Sequence, residues 1–190
     1  MSAANGRQAL LVVDMQNGFL HENGSLSRLA GRPTTPLRSA SPACISLIQQ
    51  ARHSHTPIVY TRHGYRPDGT DLGLLAARRG LALDSSCLRA GTWDNEIIDE
   101  LQPAPHDIVV DKNRYDAFAS SDLPQVLDSL SVGSLTVCGV MTGLCVLMTG
   151  CAAAMRDRHV TLASNAVADI EIDRHRHALA TFARDFGAVG

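Results

Sequence analysis

Short continuous apolar runs alternate along this chain with segments whose apolar residues recur at helical spacing. Five runs predict buried strands over residues 9–13, 57–61, 107–110, 134–138 and 160–163. Helical spacing predicts helices over 42–53, 123–130, about 142–156 with Thr142 as N-cap, and 173–186 with Asp173 as N-cap. Continuous apolar strands separated by helices are typical of an α/β fold with a mainly parallel sheet buried on both faces.

One longer segment, over residues 63–93, interrupts this alternation and carries several glycines. Connections of that length in a compact domain are usually functional or contain helix of their own. A chain of 190 residues has the size of one domain, so residues 1–190 are expected to form a single one.

Composition and charge narrow the classes of partner. A net charge of -2 with scattered basic residues gives no electrostatic reason to expect nucleic-acid or membrane binding. No apolar stretch approaches the roughly 20 residues that span a bilayer, and the polar N-terminus does not read as a signal peptide. The chain has five Cys and no Cys-x-x-Cys pair, which argues against a disulfide framework and against a structural zinc site. The same cysteines favour the reducing cytoplasm as the location of the protein.

Three reactive side chains fall near the carboxyl ends of predicted strands, where open α/β sheets bind ligands. Asp14 ends the first strand, Lys112 follows the third, and Cys145 opens the helix after the fourth. A thiol at the start of a helix is expected to have a lowered pKa and to be a nucleophile. Asp14 would accept its proton, and Lys112 would favour the thiolate.

The sequences around these residues occur in a specific order: LVVDMQNGF over 11–19, KNRYDAF over 112–118 and GVMTGLCV over 139–146. Together they resemble the isochorismatase-like cysteine hydrolases, from about residue 8 to 187. The resemblance implies a three-layer, Rossmann-like α/β/α sandwich with five or six strands and a catalytic triad of Asp14, Lys112 and Cys145. It also implies a cis peptide between Val140 and Met141, with the amides of Met141 and Cys145 forming an oxyanion hole.

The chemistry implied by this family is hydrolysis of a C–N bond through a thioester on Cys145, without metal or other cofactor. The stretch over 91–101 resembles the branch that acts on ureido and carbamoyl compounds. A small-molecule substrate and a homo-oligomer, dimer or tetramer, are therefore expected.

Candidate substrate contacts are Phe19, His63, Tyr115 and Phe118, and Arg62, Arg66 or His63 are candidates for binding a substrate carboxylate. The Asp-x-His metal pattern of nicotinamidases is incomplete here, because Thr61 stands two residues before His63. Gln16 is expected to orient Asp14 or to satisfy backbone groups.

Two other functions remain open at this point. An isochorismatase proper cleaves an enol ether, and some members of that branch lack the nucleophilic Cys, so Cys145 counts against this alternative. A non-catalytic interaction protein with the same fold is the third reading, and the intact triad argues against it.

Overall fold

A computed structural model describes residues 6–31, 33–79 and 86–190, and its central element is a parallel sheet of six strands. The strands are β1 (Arg7–Val13), β2 (Ile58–His63), β3 (Ile108–Lys112), β4 (Val132–Val140), β5 (His159–Ala168) and β6 (Ala188–Val189). Their order across the sheet is β3-β2-β1-β4-β5-β6. The expected α/β fold with a mainly parallel sheet is confirmed, and its sixth strand is a short addition at one edge.

Helices cover both faces of this sheet. They are α1 (Asn17–Leu20), α2 (Ser25–Ala30), α3 (Thr35–Arg38), α4 (Ser41–His53), α5 (Gly73–Arg78), α6 (Leu123–Ser129), α7 (Leu147–Ala154) and α8 (Ile172–Asp185). Short 3₁₀ turns lie at Trp93–Asn95 and Asp99–Leu101, and a single π-helical turn at Thr142–Val146 precedes α7. Within the described ranges, no helix combines the length and the apolar character needed to cross a membrane.

Side chains of β1 alternate between two hydrophobic cores, one on each face of the sheet. Leu11 and Val13 pack in the core that also contains Phe182 of α8, and Leu10 and Val12 pack in the core that contains Ile48 of α4. Alternate strand residues point to opposite faces, so an unbroken apolar run is required when both faces are covered. This explains why β1 contains no polar residue from position 9 to position 13.

The strand order reverses direction at β1 and β4, which are neighbours in the sheet. From β1 the chain proceeds outward through β2 and β3, whereas from β4 it proceeds outward in the other direction through β5 and β6. Such a switch point opens a crevice at the carboxyl ends of the strands. Val13 pairs with Gly139 and Thr61 at this end, and His63 pairs with Lys112.

Two helix starts differ from the sequence prediction. Helix α8 begins at Ile172 with Glu171 as N-cap, so Asp173 lies in the first turn and is not the cap. Thr142 is the first residue of the π-helical turn and follows Met141, which occupies the N-cap position. The Thr142 hydroxyl instead contacts His175 Nδ1 at 2.9 Å, because α8 packs against this turn.

The backbone at the end of β4 requires a glycine at position 139. Its φ is +116°, and an added Cβ would lie 2.1 Å from the Val13 carbonyl oxygen. We expect Gly139→Ala to lower the free energy of unfolding by roughly 3 kcal/mol or more, since a strained φ alone costs about 1–3 kcal/mol. Gly91→Ala is the matched control, with φ +80° and nothing within 4 Å of the added Cβ. Urea unfolding checks this prediction, and equal losses in the two variants would contradict it.

Candidate active site

The three predicted reactive residues meet at the switch point of the sheet. Asp14 directly follows β1, Lys112 is the last residue of β3, and Cys145 lies in the π-helical turn after β4. Their exposed fractions are 0%, 2% and 3%. A carboxylate, an ammonium group and a thiol are therefore held together out of contact with bulk water, where their interactions are strong.

Asp14 and Lys112 form a buried ion pair. The Lys112 Nζ lies 2.7 Å from Asp14 Oδ2, and both side chains are 0% exposed. The Thr61 hydroxyl donates a hydrogen bond to the other oxygen, Asp14 Oδ1, at 2.7 Å. Asp14 has a φ of +51°, a backbone conformation that Asp and Asn tolerate better than most residues. The carboxylate is thus fixed in direction from both of its oxygens.

Lys112 also fixes the hydrogen positions of His63. Besides its contact with Asp14, Lys112 Nζ donates to the Arg114 carbonyl at 3.0 Å and lies 3.1 Å from His63 Nδ1. An ammonium only donates, so Nδ1 is the acceptor and Nε2 carries the ring hydrogen. Nε2 then donates to the Tyr65 hydroxyl at 3.0 Å, and the hydrogen of that hydroxyl is directed away from His63.

The charges of Lys112 and His63 follow from this arrangement. Burial by itself lowers the pKa of Lys112, but its interactions with Asp14 and Cys145 outweigh this effect and raise the pKa above its ordinary value. Burial together with the positive charges of Lys112 and Arg114 holds the pKa of His63 well below its ordinary value. Lys112 is therefore the cation of the cluster, and His63 is a neutral ring.

Cys145 lies beside the carboxylate. Its Sγ, an Asp14 carboxylate oxygen and a His63 ring nitrogen all lie within 4.8 Å of one another. Burial raises the pKa of the Cys145 thiol, and the charge of Asp14 raises it further. Lys112 lowers this pKa, but by less than the other two effects raise it. The prediction of a lowered thiol pKa is therefore wrong: in the resting protein Cys145 is a neutral thiol next to a carboxylate that can accept its proton.

The start of the turn that carries Cys145 already holds an anion. The Gly143 amide, which would otherwise contribute to the positive end of the turn, donates to Asp169 Oδ2 at 2.8 Å. The Asp169 carboxylate is buried and is also paired with Arg174. An anion thus already occupies this end of the turn.

The backbone before Cys145 has the predicted cis peptide between Val140 and Met141. The amides of Leu144 and Val146, on either side of Cys145, both donate to the Met141 carbonyl, at 3.0 and 3.3 Å. Met141 and Cys145 both line the cavity described next. Their amides remain our predicted oxyanion donors.

A cavity of about 220 Å³ opens above Cys145. Its lining comes from α1, α2, β2, the 63–93 segment, the loop after β3 and the start of the π-helical turn. The lining residues are Phe19, Ser25, Leu26, Leu29, His63, Tyr65, Arg79, Cys87, Leu88, Tyr115, Met141 and Cys145. This volume suits a small molecule and is enclosed by mainly apolar walls. Three of the four predicted substrate contacts, Phe19, His63 and Tyr115, belong to it.

Phe118 does not belong to this cavity. Its ring lies in the hydrophobic core, with the Arg156 guanidinium 4.8 Å from the ring centroid. A tight turn in which the Phe118 amide donates to Asp116 Oδ1 at 2.7 Å separates it from the Lys112 end of the strand. We therefore remove Phe118 from the set of substrate contacts.

Of the three residues proposed for binding a carboxylate, Arg62 and Arg66 do not line the cavity, and His63 carries no charge. Arg62 makes two hydrogen bonds to Asp111, at 2.6 and 2.9 Å. Arg66 lines a separate depression together with Asp71. Neutral His63 uses both ring nitrogens, on Lys112 and Tyr65.

Asp14, His63 and Cys145 are types of residue that bind metals, and their ligand atoms are close enough to share an ion. The Lys112 ammonium, however, lies 2.7 Å from Asp14 Oδ2 and 3.1 Å from His63 Nδ1. A metal bound by these two atoms would have to displace that ammonium. The geometry favours Lys112 itself as the positive charge of the site.

Gln16 satisfies backbone groups, as one of its two predicted roles requires. Its amide nitrogen donates to the carbonyls of His63 and Asn95, both at 2.8 Å, and its oxygen accepts from the His63 amide at 2.7 Å. Gln16 thereby joins the end of β2 to the 3₁₀ turn at Trp93–Asn95. These hydrogen bonds hold the backbone of His63 in place.

Several cavity residues were not singled out in the sequence. Tyr65, Arg79, Cys87 and Leu88 come from the 63–93 segment, whose functional character was predicted as a whole. Leu26 and Leu29 come from α2, a six-residue helix without a sequence signal of its own. Part of the predicted segment, residues 80–85, lies outside the described residues.

Comparison with known proteins places this geometry in a family. The family model for the isochorismatase domain matches residues 8–190. A protein of Azorhizobium caulinodans named ureidoacrylate amidohydrolase RutB is 30% identical over 161 residues, which cover 78% of this chain and 70% of that protein. A protein of the same name from Pseudomonas syringae pv. syringae is 34% identical over 160 residues, covering 76% and 63%. The chain spans about two thirds of the length of these relatives.

Solved structures give the same result. A cysteine hydrolase from Pseudomonas syringae pv. phaseolicola 1448A superposes with a TM-score of 0.88 at 30% identity, covering 96% of this chain and 87% of that one. The N-carbamoylsarcosine amidase of Thermoplasma acidophilum superposes with a TM-score of 0.77 at 26% identity, covering 96% and 95%. The resemblance drawn from the three sequence motifs is confirmed: this chain belongs to the isochorismatase family, among the isochorismatase-like cysteine hydrolases.

Proposed function

We propose that this protein hydrolyses a C–N bond of a small amide, ureido or carbamoyl compound through a thioester on Cys145. The observation that carries the proposal is the buried Asp14–Lys112 ion pair, with an Asp14 oxygen within 4.8 Å of the Cys145 thiol at the cavity wall. The names of the relatives, a ureidoacrylate amidohydrolase and an N-carbamoylsarcosine amidase, support this class of substrate.

The first half of the reaction forms the thioester. As Cys145 Sγ attacks the carbonyl carbon, its proton passes to the Asp14 carboxylate, and the carbonyl oxygen becomes an oxyanion. The amides of Met141 and Cys145 donate to that oxyanion, and each such donor contributes about 3–4 kcal/mol in a preorganised site. Protonated Asp14 then gives its proton to the leaving nitrogen, and ammonia or an amine departs.

The second half consumes one water. Asp14, again a carboxylate, takes a proton from the water, whose oxygen attacks the thioester carbonyl carbon. The C–S bond breaks, the proton returns to the sulfur, and a carboxylic or carbamic acid is released. Lys112 stays protonated throughout and keeps the carboxylate in place.

The neutral resting thiol fits this sequence of proton transfers. Because burial and Asp14 raise the pKa of Cys145, the thiol ionises only as it attacks. The reaction therefore depends on Asp14 as a base at the moment of attack, and not on a standing thiolate. An unreactive resting thiol is also protected from unwanted alkylation and oxidation.

The test is a substrate panel that combines product release with detection of the covalent intermediate. Ammonia is measured for primary amides, alkylureas, ureido acids and N-carbamoyl amino acids, in the presence of EDTA. Samples quenched in acid within milliseconds are analysed by intact-protein mass spectrometry. We expect ammonia release and an adduct with the mass of the substrate less ammonia or amine, mapped by peptide digestion to Cys145.

Cys87 provides the internal comparison for this mapping, because it lines the same cavity and is almost fully buried. An adduct on Cys87 in place of Cys145 would contradict the proposed mechanism. Cleavage of an enol ether to a keto acid, without any adduct, would favour the isochorismatase-type reaction instead. A panel without turnover and without adduct would favour a non-catalytic role.

A further inference from the structure

The wall of the cavity carries one permanent charge among its described residues. Asp14 and Lys112 neutralise each other beneath the cavity, His63 is neutral and Cys145 is a thiol. Of the residues that line the cavity, only Arg79 is a guanidinium, and no carboxylate lines it. The described cavity surface is thus apolar with a single positive group.

The position of Arg79 leaves this charge available to a ligand. Arg79 is the residue that directly follows α5, and its side chain is exposed. Its Cζ lies 5.4 Å from the centroid of the Tyr115 ring, so the guanidinium rests against an aromatic face. A guanidinium that packs through its face still presents the N–H groups of its edge.

Three neighbouring arginines are already bonded to protein groups, and two others, Arg66 and Arg89, do not line the cavity. Arg62 is bound to Asp111, and Arg174 is bound to Asp169. Arg114 donates to the backbone carbonyls of Asp71 and Asn113. Between residues 6 and 190, leaving aside the undescribed positions, Arg79 has no carboxylate at ion-pair distance.

We infer that Arg79 recognises a carboxylate on the substrate, at the end opposite the bond that is cleaved. The inference rests on the proposed function, and it narrows the substrate class to short ureido or amide acids. Tyr115 connects the two ends, because its ring contacts Arg79 and also stacks on His63, with centroids 6.3 Å apart, beside the catalytic cluster. A fork of N–H donors binds both oxygens of a carboxylate at once.

The test compares one charged and one neutral urea of similar shape. The charged probe is 3-ureidopropionate, and the neutral probe is 3-methylbutylurea, in which an isopropyl group replaces the carboxylate. Both are assayed for ammonia release with the unmodified protein, Arg79→Gln, Arg79→Lys and Arg78→Gln. Arg78 is the matched control, since it is the exposed last residue of α5 and does not line the cavity.

We expect Arg79→Gln to raise KM for 3-ureidopropionate by about 10- to 100-fold and to leave kcat nearly unchanged, because the contact binds ground state and transition state alike. KM for 3-methylbutylurea should not change. For Arg79→Lys, KM for 3-ureidopropionate should lie between the values for the unmodified protein and Arg79→Gln, since lysine keeps the charge but lacks the planar fork of N–H donors. Arg78→Gln should behave as the unmodified protein, and added salt should weaken the effect at exposed Arg79.

Equal changes for both probes in Arg79→Gln, or no change for 3-ureidopropionate, would overturn the role of Arg79. To separate this from a failure of the proposed function, the affinity of both probes for Cys145→Ala is measured by calorimetry, with and without Arg79→Gln. A loss of affinity confined to 3-ureidopropionate supports the carboxylate site even if neither urea is hydrolysed. Turnover of both ureas without any dependence on Arg79 supports the hydrolase and refutes the carboxylate site.

Discussion

Cys145→Ser and Cys145→Ala are expected to lose hydrolysis almost completely, with kcat/KM lower by about 10⁴-fold or more. In the proposed mechanism the sulfur forms the covalent intermediate, and a serine hydroxyl in its place is a far weaker nucleophile toward an amide. The fold should persist, because a Cys-to-Ala change at this buried position removes only one atom from the core. Ammonia release and circular dichroism together check this prediction.

Cys151→Ala serves as the control for these variants. Cys151 lies in α7, shortly after the π-helical turn, is half-buried and does not line the cavity. Its replacement should leave kcat/KM unchanged and should cost little stability. Substantial residual turnover in Cys145→Ala, with Cys151→Ala at full activity, would show that the reaction proceeds without a thioester.

The sheet was predictable from the sequence because its strands are buried on both faces. An apolar run such as residues 9–13 has one stable environment in a domain of this size, between two layers of helices. The short helices α1, α2 and α3 were not predicted, since each has four to six residues and is held by its neighbours and not by its own periodicity. Two of them, α1 and α2, nevertheless supply Phe19, Leu26 and Leu29 to the cavity.

The convergence of Asp14, Lys112 and Cys145 was predictable because strand ends and motif order coincide. Asp14, Lys112 and Cys145 each follow or end a strand, and strand ends converge at the switch point. The pKa of the Cys145 thiol was not predicted correctly. The position of Cys145 at a helix start indicated a lowered thiol pKa, but this argument omits burial and the charge of Asp14, which both raise the pKa.

The sequence also did not determine which aromatic side chains line the cavity. Tyr115 and Phe118 lie three residues apart on one loop, and only the first lines the cavity. Tyr65 was not predicted, although it receives the hydrogen bond that completes the Lys112–His63 chain. Loop residues have no fixed period, so the direction of each side chain depends on tertiary contacts that the sequence does not encode locally.

Asp14→Asn is expected to separate proton transfer from thiol reactivity. Hydrolysis should fall by about 10²- to 10⁴-fold, the usual contribution of a positioned general base. The amide should adopt the same backbone, since Asn tolerates the φ of +51° found at position 14. Loss of its counter-ion leaves Lys112 unpaired in a buried site, so folding must be verified by thermal unfolding, with a loss of about 3–5 kcal/mol anticipated.

The thiol of the same variant should react more readily with iodoacetamide. Asp14 raises the pKa of Cys145, so its neutralisation lowers that pKa, and the pH profile of alkylation should move to lower pH. Lys112→Met should move the profile the other way, because Lys112 lowers the pKa of Cys145. A hydrolytically dead Asp14→Asn protein with a more reactive thiol would identify Asp14 as the base. If hydrolysis persisted in folded Asp14→Asn, or if its alkylation profile moved to higher pH, another group would have to accept the proton.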